Sequence, residues 1–213
     1  MHPVHQLSNS EDLAVAATAV ARGQLVVVVT DTVYGLAADP RNQAAMAALF
    51  AAKDRPLSLP VPVLVADPVQ ASYLTTGLSE SAAALIEAFW PGPLTLILPV
   101  NRAAGLHLGV SHGTVALRQP NHPRTVDLLD LTGPLAVTSA NLTGLRPAVT
   151  VAAARHQLGT AVAHYLDGGT APGGQPSSIV DLTGPDPKLV RSGPVSWEAV
   201  SQVLNRPGPK ALG

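Results

Sequence analysis

The stretch VVVVTDTVYGLAAD, Val26 to Asp39, begins as an unbroken β-branched run and then turns into threonines, a carboxylate and a tyrosine. A continuous run of that kind reads as a strand covered on both faces, from residue 24 to residue 30. Helical patterns flank it. Residues 8–23 place Ser8 and Glu11 at capping-box spacing and end on Gly23, and residues 42–53 repeat small apolar residues up to the Pro56 region.

The same alternation continues along the chain. Strands are expected at 61–66, 94–100, 114–118, 134–141, 161–167, 177–182 and 188–193. Helices are expected at 79–90, 122–133, 150–159 and 196–204, the first of them halted by Pro91 and Pro93. Strand and helix patterns that alternate argue α/β, and the closely spaced late strands argue a mixed sheet. No linker-like composition shift divides the chain, so residues 1–205 read as one domain and 206–213 as a flexible C-terminal tail.

Composition excludes several functions. The 213 residues carry 13 Lys and Arg against 14 Asp and Glu, a formal charge of -1, so no global field draws the protein to nucleic acid or membrane. Anion binding must come from a few placed cations. With no cysteine, disulfides, thiol nucleophiles and cysteine zinc sites are absent from this chain, and a cytoplasmic setting is the default expectation. No apolar run approaches 18 residues and the N-terminus lacks the layout of a signal peptide. The seven histidines show no zinc-motif spacing, and no carboxylate cluster declares a metal cage.

What remains is hydroxyls and cations on strand ends. Thr30, Asp31, Thr32 and Tyr34 follow the valine strand, where α/β sheets bind ligands, although such threonines also satisfy turn backbone. Lys53 and Arg55 lie two apart as a helix ends, aimed at one anion or paired with the helix dipole as solvated charges. Arg118 ends a strand and suits a carboxylate or phosphate, or stands at the surface. Ser139 and Asn141 end another, DGGTAPGGQPSS (167–178) is a glycine-rich loop, and Arg191 closes a short strand. This vocabulary orients anions.

Taken in order, TDTVYGLAAD, KDRP, WPGPLTLIL, GTVALRQPNHP, PLAVTSAN, LDGG, SSIVDL and LVRSGPV resemble the YrdC family, the threonylcarbamoyl-AMP synthases, from about residue 10 to residue 204. The resemblance implies a twisted mixed, mostly parallel α/β sheet with flanking helices around a large anion-binding cavity. It also implies a nucleotidyltransferase that condenses L-threonine, bicarbonate and ATP into L-threonylcarbamoyl-AMP and pyrophosphate, the first step of threonylcarbamoyladenosine formation in tRNA. Mg²⁺ would arrive with the ATP, with no organic cofactor, and a downstream threonylcarbamoyl transferase acting on tRNA would take the labile product.

Residue by residue, the resemblance assigns Thr32, Arg118 and Ser177 to threonine. It assigns Lys53, Arg55, Thr114, Ser139, Asn141, Thr150 and Arg191 to the nucleotide, with Lys53, Arg55 and Arg118 carrying the catalytic charge. Asp31 is the nearest candidate for taking the ammonium proton, against a role as turn acceptor. The sequence departs from many relatives at Leu59 and Leu64, where an asparagine and a histidine would supply a nucleotide and a threonine contact. Three alternatives stand beside this reading: an RNA-binding module, a carbamoyl-AMP-forming, carbamoyltransferase-like protein, and an inactive paralogue that binds nucleotide, which Leu59 and Leu64 keep open.

Overall fold

Every described α-helix but one begins where a short polar side chain can accept from an otherwise unpaired amide. In the computed structural model, which describes residues 3–205, Asn9 caps α1 (Ser10–Ala21) through Glu11 N at 2.9 Å, and Asn42 caps α2 (Gln43–Ala52). The α1 cap is thus Asn9 and not Ser8. Asp67 caps α3 (Pro68–Leu74), Ser79 caps α4 (Glu80–Phe89), Thr150 caps α6 (Val151–Leu158) and Ser196 caps α7 (Trp197–Leu204). α5 (Pro123–Thr132) starts without a side-chain cap, its first position taken by a proline that has no amide proton to satisfy.

Among the described residues ten strands form one sheet. They are β1 (Val4–Gln6), β2 (Val26–Val28), β3 (Gly35–Ala38), β4 (Val63–Leu64), β5 (Leu94–Pro99), β6 (Thr114–Arg118), β7 (Leu135–Ser139), β8 (His164–Asp167), β9 (Ser178–Asp181) and β10 (Lys188–Arg191). Their order across the sheet is β1-β8-β2-β3-β7-β4-β6-β5-β9-β10. The valine run sits between β8 and β3 and is wholly buried, as a strand covered on both faces requires. Helix α1 packs on α5 and α4 on α7.

The mixed α/β sheet is as expected, but it is not mostly parallel. Parallel pairing joins β1 to β8, β2 to β8, β4 to β6 and β5 to β9, while the other five pairings are antiparallel. The physical reason is connection length: six residues link β2 to β3, too few for the crossover that a parallel neighbour needs. The expected tail, residues 206–213, lies outside the described residues.

Alternation along these strands builds one face of a cavity. Leu64 is in register with Arg118 and with Leu135, Gly35 with Ser139, and Thr95 with Ile179, so these positions project to the same side. Gly35 matters here because a Cβ at that position would lie 2.4 Å from Val137 Cγ1. Between β9 and β10 the register slips by one residue, so that Arg191 rather than Val190 stands opposite Ile179. That bulge re-aims a cation onto the cavity face.

Candidate active site

The loop after β2 is closed by its own hydroxyls. Thr30 Oγ1 accepts from the amides of Thr32 and Val33 at 3.2 and 3.3 Å and donates to Val33 O at 2.7 Å. Its one proton is thereby used, so the 2.9 Å contact with Thr32 Oγ1 is donated by Thr32. Thr32 Oγ1 in turn accepts from Arg118 Nη1 at 3.0 Å. A directed chain therefore runs from guanidinium to Thr32, Thr30 and the loop backbone. The turn acceptor is Thr30, and Asp31 instead faces Arg118, to whose Nη2 it is hydrogen-bonded.

Arg118 is fixed on three sides. Its Nε donates to Gly92 O at 2.9 Å, and its side chain and that of Asp31 are only 7 % and 12 % exposed. Burial pulls the guanidinium below its ordinary value and Asp31 opposes the fall. Since three of its five N–H groups are engaged by Gly92, Thr32 and Asp31, two remain to offer.

Across the cavity, Arg191 donates from Nε to Ser177 O at 2.9 Å and from Nη2 to Ser177 Oγ at 3.1 Å, and Ser177 Oγ meets Thr95 Oγ1 at 2.8 Å. Arg55 is held by the carbonyls of Leu59 and Pro60 at 2.9 and 3.1 Å. Burial lowers the pKa of both arginines, and the Arg191 charge lowers that of Arg55 further. Among the described residues the ion pairs are His5–Asp12, Arg118–Asp31 and Arg124–Asp127. Arg55 and Arg191 thus face one cavity with no carboxylate between them, an arrangement suited to a multiply charged anion.

The cavity measures about 200 Å³ and holds Thr32, Arg118 and Ser177 together with Arg55, Ser139 and Arg191. It lies over the face of the sheet, floored by Leu64, Val137 and Ile179, and not in a crevice at one sheet edge. The carboxyl end of β6 points opposite to those of β2 and β7, because β4 is parallel to β6 and antiparallel to β7. The loop after β2 must therefore reach across the face to meet Arg118.

A model of the Sua5/YciO/YrdC family, described as "Telomere recombination", matches residues 18–193. The chain belongs to the Sua5/YciO/YrdC family. A Mycobacterium tuberculosis protein, provisionally named a threonylcarbamoyl-AMP synthase, is 46% identical over 195 residues, spanning 92% of this chain and 90% of its own. The Bacillus subtilis threonylcarbamoyl-AMP synthase is 37% identical, over 92% of this chain and 58% of its own. The crystal structure of Pyrococcus abyssi Sua5 complexed with L-threonine superposes with a TM-score of 0.87 at 31% identity, covering 95% of this chain and 61% of that one. This chain thus spans about three-fifths of those longer relatives.

Of the residues expected to bind in a Sua5/YciO/YrdC protein, four stand outside the cavity wall. Lys53, at the end of α2 and 2 % exposed, donates from Nζ to Ser139 O at 2.5 Å and to Asn141 O. It staples the loop after β7 instead of reaching into open space, and burial, with Arg55 adding repulsion, draws it down to about 8. Asn141 turns Nδ2 to the carbonyls of Leu142 and Leu145, leaving Oδ1 buried without a partner. Thr114 donates to Ser111 O at 2.7 Å at the far end of β6, and Thr150 is the α6 cap, accepting from Ala153 N at 3.2 Å.

Sequence reasoning missed Thr95 and Thr138, both in the cavity wall. The available signal was a lone hydroxyl inside the otherwise apolar strand LTLILP, and in LAVTS a threonine directly before the Ser139 already singled out. Tyr34 lines the cavity but works backward: its hydroxyl donates to Gly169 O at 2.5 Å and accepts from Gly168 N at 3.2 Å, and burial pushes it up to about 12. It ties down the start of the glycine-rich loop. Leu59 is 47 % exposed, whereas Leu64 is buried in the cavity floor.

Proposed function

We propose that this chain is an enzyme that condenses L-threonine, bicarbonate and ATP into L-threonylcarbamoyl-AMP and pyrophosphate, the first step of threonylcarbamoyladenosine formation in tRNA. The observation that carries the reading is one cavity with two chemistries: Arg118 among the hydroxyls of Thr32, Thr95 and Ser177, and the uncompensated pair Arg55 and Arg191. The first suits a hydroxylated amino acid and the second a polyphosphate. The likeness to threonylcarbamoyl-AMP synthases and to a threonine-bound relative supports the pairing.

The chemistry sets the demand on these residues. Loss of a proton from the threonine ammonium gives an amine that adds to bicarbonate with loss of water, leaving a carbamate anion. Its oxygen then attacks the α-phosphorus of ATP, the bond to the bridging oxygen breaks, and pyrophosphate leaves with that electron pair. Two like charges about 4 Å apart repel by roughly 4 kcal/mol at an effective dielectric near 20. Arg55 and Arg191 would offset that repulsion and stabilise the charge developing on pyrophosphate. Mg²⁺ would enter as part of the nucleotide substrate, neutralising its phosphate oxygens.

Arg118 would hold the threonine carboxylate while Thr32 and Ser177 fix the side-chain hydroxyl, so the nucleotidyl transfer is chiefly a matter of positioning. Lys53 would act through the 139–141 backbone it holds, presenting Ser139 to the nucleotide. The product is a mixed anhydride prone to hydrolysis, which calls for a downstream transferase that passes the threonylcarbamoyl group to tRNA, in a cytoplasmic setting. No helix of the described residues is long and apolar enough to cross a membrane. Isotope-labelled bicarbonate tests the reading: label should enter an AMP-linked product only when threonine and ATP are both present. Label incorporation without threonine would point to a different acceptor.

A further inference from the structure

The Arg118–Asp31 pair poses a problem for any ligand that arrives as a simple carboxylate. Both side chains are almost wholly screened from water, and the guanidinium is immobilised by Gly92 O and Thr32 Oγ1. A carboxylate added to Arg118 either crowds the Asp31 carboxylate with a second negative charge or displaces it and leaves it buried without a partner. Removing one member of a buried ion pair is far more destabilising than replacing both. The nearby imidazole does not relieve this. His122 Nδ1 lies 3.2 Å from Thr125 Oγ1, whose only proton goes to Val29 O at 2.6 Å, so Nδ1 must be the donor in that contact. Burial also pushes His122 below the ordinary histidine value, keeping it neutral near pH 7.

A zwitterion removes the conflict. Its carboxylate can replace Asp31 on Arg118 while its ammonium replaces Arg118 on Asp31, so a neutral pair enters a neutral pair and no charge is left over. We propose that Asp31 is the ammonium-binding residue of the amino-acid site, held on Arg118 in the free protein and exchanged onto the substrate when it binds. Arg118 and Asp31 together then select α-amino acids over hydroxy acids and other plain carboxylates of the same shape. The role lies in binding: Asp31 fixes the amine where the carbamate forms. The inference rests on the proposed assignment of the threonine carboxylate to Arg118.

Calorimetric titration of the full chain separates the two claims. The ligands are L-threonine, its desamino analogue (R)-3-hydroxybutyrate, and L-threoninamide, which keeps the ammonium and lacks the carboxylate. The wild-type protein should bind threonine and should bind each single-charge analogue at least about 100-fold more weakly. Asp31→Asn should weaken threonine roughly 10- to 100-fold while leaving 3-hydroxybutyrate unchanged or tighter, because its carboxylate no longer meets a second one. An unchanged threonine to 3-hydroxybutyrate ratio in Asp31→Asn would overturn the exchange and leave Asp31 as a support for Arg118. Should that variant not fold, the wild-type arm decides alone: 3-hydroxybutyrate within about threefold of threonine overturns the exchange. No threonine binding to the wild type overturns the substrate assignment and the exchange with it.

Discussion

At the scale of single residues, the site depends on charges that burial holds in fixed company. Arg118→Ala removes the carboxylate partner, so KM for threonine should rise roughly 10- to 100-fold while KM for ATP stays within about threefold. Steady-state kinetics with each substrate varied in turn checks this, and equal losses for both would remove Arg118 from the threonine site. The same variant strands Asp31, with a stability loss of roughly 3–5 kcal/mol, and Arg118→Met with Asp31→Asn should recover part of it in urea unfolding. Lys53 makes a pH prediction. Its folded pKa of about 8 lies below the 10.5 of an ordinary lysine, so between them the unfolded chain keeps a proton that the folded chain has released. Stability should therefore rise with pH across that window, by at most about 1.4 kcal/mol per unit. Lys53→Met should remove that rise, and urea unfolding from pH 7 to pH 10 would show it.

At the scale of elements, the glycine after β10 ties the late hairpin to the site. A Cβ on Gly193 would lie 2.4 Å from Ser178 N and 2.7 Å from Pro176 O, all rigid backbone beside Ser177. Gly193→Ala should displace the segment that carries Ser177, lower kcat/KM for threonine at least about tenfold and destabilise by roughly 1–3 kcal/mol. Gly184→Ala, whose nearest neighbour would be 3.9 Å away, should leave kcat/KM unaltered in the same assay. Tyr34→Phe deprives Gly168 N and Gly169 O of a partner and should lower stability by roughly 1–3 kcal/mol in thermal melts. Elements were legible in the sequence in proportion to their length and pattern. The valine strand and the capped helices of eight or more residues declare themselves locally. β3, GLAA, has no β-branched residue and becomes a strand only because β2 and β7 pair with both its edges. β1 and α3 span 3 and 7 residues, too short to show a period.

At the scale of the whole molecule, a nearly neutral chain concentrates its useful charge in one cavity. Residue types at strand ends were readable, because Arg118, Ser139 and Arg191 stand out after apolar strands and all three reach the cavity. Their partners were not. The Asp31–Arg118 and Thr95–Ser177 contacts join residues 87 and 82 positions apart, and no local pattern encodes such a meeting. The bulge that aims Arg191 inward is likewise invisible in KLVR, since it exists only in the pairing with β9. Lys53 and Asn141 show the converse. Their chemistry suggested ligands, and packing turned them to the backbone of the loop they support.

The proposed function requires one cavity to join an amino acid, bicarbonate and ATP. Pyrophosphate release from ATP and Mg²⁺, with threonine and bicarbonate added separately and together, tests it most directly. Release is expected only when both are present, with Arg55→Ala and Arg191→Ala each at least about tenfold slower. Release that ignores threonine, or no release with all three substrates present, would contradict it.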